Sequence, residues 1–152
     1  MIIEDVQNWA ADKGIYDKST ATIQATMIYI ELGEFADAVL KNSPDVEKQT
    51  ELGDVIVCLI NYLSMGCGKT ALLQELSEML RHPQVDESFT KDDLLVGFMY
   101  AEDTSTFIKS IIPLYATAVN STPVDCLRLA YNKINGRTGK MINGKFVKST
   151  DL

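Results

Sequence analysis

Residues 30–40 read "IELGEFADAVL", and residues 50–60 read "TELGDVIVCLI". Each is an apolar stretch interrupted by acids three residues apart: Glu31 and Glu34 in the first, Glu51 and Asp54 in the second. Residues at that spacing share one face of a helix, so each pair projects side by side. Between the stretches, "KNSPD" (41–45) breaks the helix, and Pro44 suits the start of the next one. A connection that short favours antiparallel neighbours. With the turn centred near Ser43 or Pro44, Glu31 and Glu34 fall within about half a turn of Asp54, and Glu34 within the same distance of Glu51. The two acid pairs are therefore expected at matching height, facing one another where the flanking apolar residues turn both helices inward.

Four acids gathered there cannot stand alone. Two unit charges about 5 Å apart repel by roughly 3 kcal/mol at an effective dielectric of 20. Several such pairs rival the whole stability of a small domain, about 5–15 kcal/mol. The group must protonate, splay into water or bind a cation. Ligation by oxygen alone selects a hard ion, and magnesium is the usual one where phosphates share the site. A lone ExxE would read better as a solvated surface pair; two pairs at matching height favour a metal site. Asp37 extends the first pair and reads as a surface acid in preference to an outer ligand. A di-iron carboxylate bundle needs Glu-x-x-His on two helices. The one histidine of the chain, His82, sits in "RHP", which reads as a helix end.

Outward from this hairpin the chain reads as an all-α bundle of antiparallel helix pairs, with a small C-terminal β-hairpin. A first helix carries Val6, Trp9 and Ala10 and stops at Lys13-Gly14. The second runs from Ser19 or Thr20 to Lys41, with an apolar stripe including Ile23, Met27, Ile30, Leu32, Phe35, Val39 and Leu40. The third runs from about Val46 to Leu63 and ends near Met65-Gly66. "TALLQELSEML" has Leu72, Leu73, Leu76, Met79 and Leu80 at helical spacing. Thr90 with Asp93 resembles a capping box ahead of "LLVGFMYA". Pro113 should kink or restart the helix in "TFIKSIIPLYATAV". Thr122, Pro123 and Asp125 open a last helix, "VDCLRLAYNKI". In "KMINGKFV" an Asn-Gly pair between β-favouring runs signals a hairpin. Residues 1–152 are expected to form one domain, with an additional helical segment at about 66–122.

The composition narrows the partners. A chain of 152 residues that is 46% hydrophobic has enough apolar residues for a core. Its net charge of −7 disfavours nucleic-acid binding, which depends on Lys and Arg. No apolar run reaches the roughly 18 residues needed to span a membrane. The N-terminal "MIIEDVQNWAADKG" carries acids where a signal peptide would be basic, so a cytoplasmic location is expected. Cys58, Cys67 and Cys126 have no CxxC spacing and read as reduced, mostly buried thiols. "GCGKT" (66–70) lacks the first glycine and the preceding strand of a P-loop. From Lys133 to Lys148 the chain carries Lys133, Arg137, Lys140, Lys145 and Lys148 and no acid. A basic tail on an acidic protein suits a partner small enough to touch both. Trp9 reads as a base-stacking residue or, more readily, a buried structural one. Gln24 could read a base edge or face solvent.

"IELGEFADAV", sixteen intervening residues between Glu34 and Glu51, and "ELGDVIVCLINYL" together resemble the MazG-like all-α nucleotide pyrophosphohydrolases. "CLRLAYNKINGRTGKMINGKFVK" is similar to the C-terminus of short members from bacteria and phages, and "VQNWAADKGI" fits as well. The resemblance covers about residues 3–65 and 123–148. It implies a helical bundle that assembles as a homodimer or homotetramer. It implies magnesium-dependent cleavage of a (d)NTP to the monophosphate and pyrophosphate, with manganese as a substitute ion. Glu31, Glu34, Glu51 and Asp54 match the family's metal-binding acids. Asn61 matches a polar position near the nucleotide, and Asn132 and Arg137 match substrate positions on the terminal helix. Within that chemistry, Lys133, Arg137 and Lys140 would contact phosphate oxygens, and Glu34 would take the proton of the attacking water. Lys145 and Lys148 read as solvated hairpin residues. This chain departs from the family at Ile30, where many members have a second acid, and at Met27, where a basic residue is common. Residues 66–122 have no counterpart in the minimal family and are expected to serve assembly or to form a lid. The competing reading is a binding or assembly module of the same fold without turnover.

Overall fold

The computed structural model describes residues 1–85 and 103–152. Helix α1 (Ile2–Asp12) buries Ile3, Val6 and Ala10 on one face. It stops at Lys13, where Gly14 turns the chain at φ +78° into a single turn, α2 (Ile15–Lys18). Sequence periodicity is blind to an element this short. Helix α3 (Ala21–Leu40) starts at Thr20, whose Oγ1 accepts a hydrogen bond from the Ile23 amide at 3.2 Å. That bond satisfies one of the amides a helix start leaves open.

The buried face of α3 is Gln24, Phe35 and Ala38, with Ile28, Leu32 and Val39 packed against the core. Ile30 and Leu40, expected in the apolar stripe, are exposed at 41% and 74%. The sequence of α3 is apolar on more than one side, so its pattern alone did not decide which side faces inward. After Lys41, Asn42 adopts a left-handed conformation (φ 49°), and Pro44 leads into α4 (Asp45–Leu63).

Helix α4 is the axis of the molecule. It packs against α3 and against α8 (Pro123–Ile134), and buries Leu52, Val55, Ile56, Leu59, Ile60 and Leu63. Thr122 caps α8 by accepting from the Asp125 amide at 3.3 Å. The contact between α4 and α8 depends on Gly53. A Cβ added there would lie 2.0 Å from the Cys126 carbonyl oxygen and 2.7 Å from the Ala130 Cβ.

Segment 66–122 adds α5 (Thr70–Arg81), α6 (Thr104–Thr106), a π-helical turn (Phe107–Ile111) and α7 (Ile112–Ala118). Leu76, Met79, Phe107, Ile108, Ile112 and Tyr115 join the same buried cluster as the α4 residues. Pro113 lies in the first turn of α7, just after the π-helical turn, so the helix restarts there. His82 ends α5, as expected. The capping box read at Thr90 and Asp93 lies outside the described residues. Lys69 of "GCGKT" closes α4: its Nζ donates to the Met65 carbonyl at 2.8 Å and sits 4.2 Å from the Tyr62 ring centroid.

Strands β1 (Gly139–Ile142) and β2 (Lys145–Lys148) pair antiparallel around Asn143 and Gly144, both at positive φ, as a type I′ turn requires. The fold is thus all-α with a small hairpin. Among the described residues no helix is long and apolar enough to cross a membrane.

The two glycines of the echoed motifs make opposite predictions. Gly53→Ala should cost about 3 kcal/mol or more, because backbone cannot move aside as a flexible side chain would. A Cβ on Gly33 would meet nothing within 4 Å. Gly33→Ala should therefore gain about 0.5–1 kcal/mol from helix propensity. Urea denaturation of the two variants checks both; a loss at Gly33 would place a second chain against that face.

Candidate functional site

The groove between α3, α4 and α8 is closed at one end by α1 and the hairpin. It forms a pocket of about 440 Å³. Its walls carry Glu31, Glu34, Glu51 and Asp54 together with Lys133 and Arg137. Trp9, Gln24, Met27, Asn61 and Phe146 line it as well. Glu31, Glu51 and Asp54 each offer a carboxylate oxygen, and the three atoms lie within 4.8 Å of one another. Glu34 lines the pocket but stands outside that tight group, and it is exposed. Three helical residues advance the direction of a side chain by about 300°, so Glu34 leans some 60° away from Glu31 toward the edge of the groove.

Crowding and burial act on these acids together. Burial, then the charges of Asp54 and Glu34, push the Glu31 carboxyl up to about 7. Burial raises Glu51, and the Asp54 charge adds to it. Burial also raises Asp54, opposed by the Lys133 ammonium that is hydrogen-bonded to it. Glu51 Oε2 is buried and has no hydrogen-bond partner. A hard divalent cation answers that arrangement, since it takes carboxylate oxygens and removes the repulsion. Cys58 also lines the pocket, but burial and the neighbouring carboxylates push its thiol well up and keep it protonated. That is the opposite of what a nucleophilic cysteine needs.

The far end of the pocket is apolar and amide-lined. The Trp9 indole donates to the Ile134 carbonyl at 3.1 Å and packs edge-on against Phe146, with ring centroids 5.9 Å apart. The ring is thus held structurally and still lines the pocket. Gln24 is buried at 5% exposure and donates from Nε2 to Ser19 Oγ at 3.0 Å; it does not face solvent. Asn61, 3% exposed, accepts from the Tyr16 hydroxyl at 3.4 Å.

Two of the expected substrate residues lie elsewhere. Asn132 follows the helical rotation away from Lys133 and lines a separate open depression with Gln49 and Arg128. Lys140 pairs with Val147 across the hairpin, on the face opposite Met141 and Phe146, and is not on the pocket wall. Three residues are gained. Lys145 and Lys148 are exposed, yet they line the pocket with Phe146. The Asn-Gly signal announced the hairpin; only its docking reveals the wall. A Cβ on Gly144 would come 2.5 Å from Ile23 Cδ1, so the hairpin turn rests directly on the start of α3. None of the described residues of 66–122 lines this pocket. The three cysteines are free, but Cys67 is exposed and not buried as expected.

Comparison with known proteins adds little to this geometry. No family model and no solved structure matches the chain. One curated relative is described as an uncharacterized 18.2 kDa protein in the rep–hol intergenic region of Haemophilus phage HP1 (strain HP1c1). It is 34% identical over 59 residues, which cover 39% of this chain and 36% of the relative.

The raised Glu31 carboxyl has a measurable consequence. The unfolded chain holds this group at 4.5 and the fold at about 7. Between those values the fold binds the extra proton, so stability without divalent ions should rise as pH falls through 7 toward 4.5. Denaturant midpoints measured with a chelator at about pH 8 and about pH 5 check this. Glu31→Gln should flatten much of the slope.

Proposed function

We propose that this protein is a magnesium-dependent nucleotide pyrophosphohydrolase of the MazG-like kind, converting a (d)NTP to the monophosphate and pyrophosphate. The observation that carries this reading is the group of three carboxylate oxygens beside an orphaned Glu51 Oε2. It lies at one end of a pocket whose other end is aromatic and amide-lined. Its volume, about 440 Å³, suits a small-molecule ligand. A polyphosphate fits the charged end and a base the other.

Each side chain has a task in this reading. Glu31, Glu51 and Asp54 would hold the ion, and Glu34 would complete the set from the edge. The ion, when bound, supplies Lewis acidity to the phosphate oxygens and to the attacking water. Glu34 is the acid outside the tight oxygen group, which leaves it freest to take a proton from that water. Lys133 and Arg137 would neutralise phosphate oxygens, Arg137 with a planar fork suited to two of them. Gln24 and Asn61 present amides toward the base end. Three free thiols are in keeping with action in the reducing cytoplasm. Assembly into two or four copies belongs to the same reading; exposed Tyr29, Ile30 and Leu40 on α3 offer apolar surface for it.

Purified protein incubated with magnesium and a panel of standard and modified nucleotides should release pyrophosphate from at least one. Glu34→Gln and Asp54→Asn should each lower that release by about a hundredfold or more, the range expected when acid–base or ion-holding groups are removed. Intact folding with no release from any nucleotide would favour the binding or assembly module.

A further inference from the structure

Among the described residues, Lys133 makes the one ion pair with the acids that face the pocket: its Nζ sits on Asp54 Oδ2. Glu31 and Glu51 have no such partner. Arg137 is near enough to be felt at Asp54 but makes no ion pair with it. The two partners of the bond are unlike. The Asp54 side chain is 13% exposed and fixed on the packed axis of the molecule, whereas Lys133 is 36% exposed at the end of a flexible stem. Its ammonium sits on the carboxylate of Asp54 that a cation between Glu31, Glu51 and Asp54 would use, and two cations beside one carboxylate repel each other.

We propose that Lys133 is a resident counter-cation: without a divalent ion its ammonium holds Asp54, and ion binding releases it toward the polyphosphate. This rests on the metal-site reading above and adds a coupling to it. Lys133 competes with the ion while the pocket holds no nucleotide. A bound polyphosphate gives the displaced ammonium a new anionic partner. Ion and polyphosphate then strengthen one another through a single side chain, and by linkage the effect is reciprocal. The ion alone is held weakly, and the pair is held well.

Calorimetric titration of magnesium into chelator-treated protein tests this, alone and with a non-hydrolysable nucleoside triphosphate analogue. Lys133→Met should bind magnesium roughly fivefold or more tighter than the parent when no nucleotide is present. The tightening that the analogue brings to magnesium binding should shrink in the variant. Lys133→Gln keeps a donor for Asp54 and drops the charge, so it carries the same expectation and guards against a misfolded Met variant. Lys133→Arg, which keeps the charge, should follow the parent. Unchanged or weaker magnesium binding by folded Lys133→Met and Lys133→Gln overturns the counter-cation role while leaving the metal site standing. Absence of magnesium binding from parent and variants alike, with and without the analogue, overturns the metal site and this role together.

Discussion

The close approach of α8 to α4 at Gly53 is the constraint on which the pocket depends. A hydrogen in place of a methyl lets the Cys126 carbonyl and Ala130 lie directly on α4. Asp54 is the next residue, so the same contact sets how near α8 comes to that carboxylate. Lys133 is one turn beyond Ala130 in the C-terminal half of α8, and at this separation its ammonium reaches Asp54. A wider spacing would leave the acids of α3 and α4 without a basic neighbour. Steric fit at one position thus becomes charge balance at the next.

That balance is incomplete, and the shortfall is informative. One ammonium faces three crowded carboxylates, and burial adds to their mutual repulsion. A core of this quality could have closed over an apolar residue at Glu51 or Glu31 with no such cost. Retaining the acids makes sense if something positively charged arrives from outside. The rest of the pocket is built to different rules. Trp9 and Phe146 fix one another edge to face, and Gln24 and Asn61 are buried with hydrogen-bond partners. One end is therefore set by packing while the other is left electrostatically unsettled. An amphiphilic ligand with a flat apolar head and an anionic tail matches that division.

Much of this was legible in the chain, for local reasons. The i, i+3 spacing of the acids, the short "KNSPD" connection, Thr20 and Thr122 as caps, and Asn143-Gly144 each act within a few residues, and each sits where expected. The misplaced residues share a different cause. Ile30, Leu40 and Asn132 lie on helices that were correctly found, but the rotation of a helix is decided by its neighbours. Lys140, Lys145 and Phe146 belong to a hairpin whose turn was plain and whose docking onto α1 and α3 was not. Gly33 and Gly53 occupy identical positions in "ELGE" and "ELGD", yet one faces open space and the other a carbonyl oxygen. No reading of a single sequence separates them, because the difference lies in what packs against each.

The inequality of the two echoed motifs bears on how the pocket could work. "ELGD" is packed on both sides, by α3 and by α8, and the Asp54 side chain is 13% exposed. "ELGE" is locked on one side, with Glu34 and Gly33 turned toward open space in this chain. The hairpin completes the division. Its turn rests on Ile23 at the start of α3, so the wall carrying Phe146 and the helix carrying Glu31 and Glu34 are mechanically joined. The aromatic and acidic ends of the pocket are therefore in contact with one another through α3, which is itself packed along α4.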